Sequence, residues 1–113
     1  MTDRTGACLC GAVRFTITDA PVKYGACHCE MCRRWSGSMM MVVDGRGMTV
    51  TGPVKTHASS SFAERAWCDT CGSSLWIRDT PGAGDVYELM PGLFDNAGGA
   101  RLVREVYADC APD

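Results

Sequence analysis

The chain has 113 residues, a formal net charge of −2, 46% hydrophobic residues and eight cysteines. That length fits one domain, 1–113, with a modest core, and the mildly acidic balance excludes the electrostatic footprint of a general nucleic-acid binder. The longest apolar run, Met39 to Val43, is far short of the ~20 residues of a membrane-spanning helix.

The opening, MTDRTGACLC, lacks the apolar core of a secretory signal, so a reducing cytoplasm is the expected compartment. Val13, Phe15 and Ile17 then alternate with Arg14, Thr16 and Thr18, a period of two that predicts a half-buried strand ending at Ala20-Pro21. A short strand from Lys23 to Cys29 leads into Arg33–Gly37, a turn or single helical turn. Ser38 to Val43 reads as a buried strand. Asp44-Gly45 and Gly47 mark a turn, and Met48 to Thr51 pairs back as a hairpin. Further strands are expected over 54–57, 62–67, 74–78, 86–90 and 102–107, separated by a loop at Ser59–Ser61, an exposed loop at Thr80–Asp85 and a turn at Asp95–Gly99. Many short strands and no long helical stripe predict a mostly β domain.

The cysteines fall into four groups: Cys8/Cys10, Cys27/Cys29/Cys32, Cys68/Cys71 and Cys110. Two residues between Cys68 and Cys71 allow a tight turn to aim both sulfurs at one point, with Gly72 free to take a positive φ. A closed zinc site needs four ligands. Cys8 and Cys10, on one face of an extended strand, suit the remaining two places. Such a site would tie the first strand to a late hairpin.

Cys27, Cys29 and Cys32 supply three thiolates, the number that leaves a fourth position open for chemistry. The same strand geometry turns His28 away from them. Two other arrangements remain open on spacing alone: a single zinc at Cys8, Cys10, Cys68 and Cys71 with the central cysteines as bare thiols, and a disulfide scaffold. Cys110 reads as a free thiol.

The stretches CLCGAVRF, CHCEMCRRWSGS, CDTCGSSLW and PGLFD, in that order, resemble the glutathione-dependent formaldehyde-activating enzyme family, which includes the centromere protein V group. The resemblance covers nearly the whole chain. It implies a β-tent of two small antiparallel sheets clipped by zinc, similar to methionine sulfoxide reductase B. It also implies two zinc ions per chain: a structural one on Cys8, Cys10, Cys68 and Cys71, and an open, catalytic-type one on Cys27, Cys29 and Cys32.

The implied activity is that of a carbon–sulfur lyase, combining glutathione or a similar small thiol with formaldehyde to give S-hydroxymethylglutathione. Arg33, Arg34 and Trp35, directly after the central motif, are the candidate substrate-binding residues, and Glu30 lies inside the motif. A non-catalytic thiol carrier and a zinc-stabilised interaction domain are the alternative functions. Nucleic acid and membrane are not expected as partners, and a homodimer would cover edge strands.

Overall fold

The computed structural model describes residues 2–20, 23–79, 86–96 and 101–111. The expected loop at Thr80–Asp85 and the end of the turn at Asp95–Gly99 lie outside them. Among the described residues nine strands form one connected sheet, with one short α-helix and two 3-10 turns between or after them. In chain order they are β1 (Thr2–Ala7), β2 (Arg14–Ala20), β3 (Lys23–Cys27), α1 (Glu30–Ser36), β4 (Met40–Thr51), β5 (Val54–Ala58), β6 (Ala63–Cys68), β7 (Ser74–Asp79), β8 (Tyr87–Leu89) and β9 (Arg101–Val106). The main path runs β1-β2-β4-β8-β7-β6-β5, and β3 joins it through β4. Neighbours are antiparallel except β3 and β9, which run parallel. Among the described residues no helix is long and apolar enough to cross a membrane.

β4 departs most from the sequence reading. The expected Asp44–Gly47 hairpin turn does not form, and the backbone stays extended for twelve residues. Met40–Val42 pair with β3, Val43–Gly45 with β8, and Arg46 and Met48–Thr51 with β2. The glycines serve packing and twist within the strand. A Cβ on Gly45 would stand 2.7 Å from Ile17 Cδ1 and 2.8 Å from Leu89 Cδ1, so glycine lets β2 and β8 side chains close over it. Gly47, at φ 63°, kinks the strand without ending it.

β1 was not anticipated. Its composition is polar, and tertiary contacts hold it: it pairs with β2, Thr5 O accepts from Asp95 N, and the Arg4 guanidinium donates to Asn96 O.

Two apolar clusters support the two cysteine groups. The larger gathers Phe15, Ile17, Val43, Leu75, Trp76, Leu89 and Phe94 around Cys8 and Cys68. The smaller packs Met40, Val42, Ala63 and Ile77 against Cys32, with Cys27, Cys29 and Trp35 at its edge.

Candidate metal centres

The first centre joins two turns distant in sequence. Cys8 and Cys10 do not sit on a strand, as the same-face argument supposed. They lie in the turn between β1 and β2, closed by Gly11 N donating to Cys8 O, with Gly11 at φ 81°. The β6–β7 turn is one residue wider but also closes on a glycine: Gly72 N donates to Cys68 O at 2.8 Å, and Gly72 has φ 80°. Each turn also aims a backbone N–H at sulfur, Val13 N to Cys8 Sγ at 3.3 Å and Cys71 N to Cys68 Sγ at 3.4 Å.

The four sulfurs lie within 4.8 Å of one another. Cys8 to Cys10 is 3.6 Å and Cys10 to Cys68 is 3.9 Å. A zinc tetrahedron with ~2.3 Å bonds has sulfur–sulfur edges of about 3.8 Å, so this set fits zinc. The Ser73 hydroxyl and backbone pull the Cys71 thiol down to about 5, in the direction of the thiolate that a metal needs.

The second centre forms where β3 meets α1. Cys27 is the last residue of β3, and Cys29 caps α1, its sulfur accepting from Cys32 N at 3.3 Å. The helix stops at Gly37, whose φ of 70° lets its N–H return to Arg33 O. Two helical turns replace the expected single turn, and they bring Cys32 back beside Cys27 and Cys29. These three sulfurs also lie within 4.8 Å of one another. All eight cysteines are free thiols.

Arg65 of β6 faces this cluster and is only 4% exposed. Both of its terminal nitrogens lie 3.6 Å from Cys32 Sγ, and its guanidinium sits 5.2 Å from the centre of the Trp35 ring. Among the described residues no carboxylate pairs with it, and its Nε has no hydrogen-bond partner. A buried guanidinium is costly without an anion beside it, and ionised sulfurs bound to a metal are the anion this geometry supplies. The donor set therefore fits zinc held by Cys27, Cys29 and Cys32. In the bare thiols, burial and the neighbouring sulfurs push Cys32 up to about 12 against the pull of Arg65. Burial also raises Cys29, but the Cys32 N–H, the other sulfurs and Arg65 outweigh it and leave that thiol below its ordinary value.

A cavity of about 480 Å³ opens over the three sulfurs, within the usual range for small-molecule sites. Apolar side chains including Met40, Val42 and Ile77 make most of its wall, and Glu30, Arg65, Asp79, Glu88 and Arg104 are its charged members. Arg65, Glu88 and Arg104 carry no motif signal: each lies in a strand far in sequence from the cysteines it approaches.

Arg33 and Arg34 lie outside this cavity. They are exposed on α1, where they border a shallower depression with Met39 and Cys110, and Arg34 pairs with Glu30 at 3.0 Å. Trp35 borders another with His57, Arg65 and Trp67. His28 is outside both sulfur clusters, buried, with Nε2 2.9 Å from Glu105 Oε1. Cys110 is exposed and joins neither cluster.

A Schizosaccharomyces pombe protein named as an uncharacterised lyase is 33% identical over the whole of this chain and 84% of its own length. A Halomonas elongata protein named as a putative glutathione-dependent formaldehyde-activating enzyme is 31% identical over 66% of this chain, a match spanning 55% of that relative. A solved Rhodobacter sphaeroides structure superposes with a TM-score of 0.67 at 20% identity, covering 90% of this chain and 99% of that one, which establishes the shared fold. The family model for the glutathione-dependent formaldehyde-activating enzyme matches residues 3–109, so the chain belongs to that family.

Proposed function

We propose that this protein is a zinc-dependent carbon–sulfur lyase that joins a small thiol, glutathione in the family's description, to an aldehyde such as formaldehyde at the Cys27/Cys29/Cys32 centre. The observation that carries this reading is a cluster of three sulfurs lining a cavity, distinct from a second cluster of four. Three protein ligands leave a position for a reactant, whereas four close the site. Zinc bound there would supply Lewis acidity, favouring a thiolate or polarising a carbonyl oxygen.

The chain's own residues have separate tasks. Cys27, Cys29 and Cys32 would hold the metal, and Arg65, with both terminal nitrogens against Cys32 Sγ, would favour the ionised form of that sulfur once metal is bound. The apolar walls exclude water that would compete with the thiol. In the reaction a bond forms between the thiol sulfur and the carbonyl carbon. The carbonyl π pair moves to oxygen, and the proton lost by the thiol ends on the new hydroxyl. Reversal breaks the same C–S bond. Cys8, Cys10, Cys68 and Cys71 would hold a second zinc that clips the fold.

Cys29→Ser should abolish thiol–aldehyde adduct formation, followed by NMR with labelled formaldehyde, while circular dichroism and the four-cysteine zinc are retained. Full activity in Cys29→Ser would overturn the proposal. Thiol binding without any aldehyde-dependent rate would instead leave a carrier.

A further inference from the structure

The charges around the three-cysteine cavity restrict what it can hold. Two cations border it, and both are engaged. Arg65 is buried against Cys32 and Trp35. The Arg104 guanidinium lies 3.6 Å from the Asp44 carboxylate. Asp79 and Glu88 also line the cavity, and among the described residues neither is within ion-pair distance of a cation. The residues outside the described set include no Lys, Arg or His, so they bring no further side-chain cation. Three thiolates on a divalent metal carry one net negative charge, which Arg65 balances. A ligand carboxylate entering here would meet three carboxylates, Asp79, Glu88 and the Arg34-paired Glu30, and no unengaged cation.

The cavity lining points the same way. Met31 of α1, Phe62 before β6 and Tyr107 after β9 are 45%, 58% and 60% exposed, and all three line the cavity. Isolated exposed apolar side chains are ordinary, but three from separate elements around one cavity form a surface suited to an apolar ligand.

We infer that the thiol partner of this site has an apolar body without carboxylates, and that the dicarboxylate glutathione is the poorer ligand. This rests on the proposed function and names the substrate class for the same site.

The test is calorimetry on zinc-loaded protein with three probes: glutathione, its diethyl ester and benzyl mercaptan. The ester keeps the peptide body and removes both carboxylates. The ester and benzyl mercaptan should each bind at least about tenfold tighter than glutathione, because like charges brought together without compensation are strongly unfavourable. Phe62→Ser should weaken benzyl mercaptan while leaving zinc content unchanged. Glutathione binding as tightly as its ester would overturn the inference, as would unchanged benzyl mercaptan affinity in Phe62→Ser or the failure of all three probes with two zincs present. Zinc content is measured before any thiol is added. One zinc per chain would strike the proposed function itself, through the three-cysteine centre.

Discussion

Arg65 shows at the residue scale how a charge without a carboxylate becomes stable inside a small domain. Its two terminal nitrogens share Cys32 Sγ and its guanidinium lies over Trp35, so a metal-bound, anionic sulfur cluster and the cation would depend on each other. Arg65→Met should therefore release the three-cysteine zinc to a chelator more readily, by ~10–100-fold in affinity as for other groups that support metal ligands. Arg65→Lys should fall between, because an ammonium cannot reproduce the paired donors. Zinc at the four-cysteine centre should be unchanged in both variants, and equal loss from the two centres would assign Arg65 a general structural role.

Glu88 gives a pH dependence at the same scale. Burial, then the nearby Asp44 and Asp79 charges, raises its carboxyl above the ordinary value of 4.5. A raised folded-state value means that protonation favours the fold, so this stabilisation is present below the unfolded value and is lost as pH rises through the folded one. Glu88→Gln should accordingly raise Tm slightly at neutral pH. The gain should vanish below the ordinary glutamate value, a comparison that thermal melts at two pH values would make. Motif spacing marked the cysteines because ligand geometry is local. It could not mark Arg65 or Glu88, since strand pairing brings them to the site.

Period-two patterning at the element scale located most strands, because alternating burial is written directly into β2. It misread β4, where Asp44-Gly45 and Gly47 carry the residues of a turn. The close approach of Ile17 and Leu89 explains Gly45. Gly45→Ala should cost ~1–3 kcal/mol by overpacking, measured by chemical denaturation, and a neutral result would mean that the two side chains move aside freely. The Cys8/Cys10 pair makes a related point. Its sulfurs do meet, but through a turn and an N–H···S bond rather than through strand alternation.

The four-cysteine centre at the scale of the whole molecule ties the β1–β2 turn to the β6–β7 turn, and Cys8 and Cys68 are both buried in the larger core. A metal that closes so long a loop contributes directly to folding. Cys68→Ser or Cys71→Ser should sharply lower soluble yield and denaturation midpoint, whereas Cys32→Ser, in the smaller cluster, should be milder. Equal losses would contradict the division of labour between the centres.

The mostly β class, the cysteine groups and the family were legible in the residues alone, because strand alternation and ligand spacing are short-range features that survive as patterns. Which cation faces the sulfurs, which walls enclose the cavity and that Arg33 and Arg34 stand outside it emerge from strand packing alone. The physical reason is that burial and electrostatic pairing are set by the packing of distant strands. One position three residues before a cysteine carries no mark that it will lie against another cysteine 33 residues earlier.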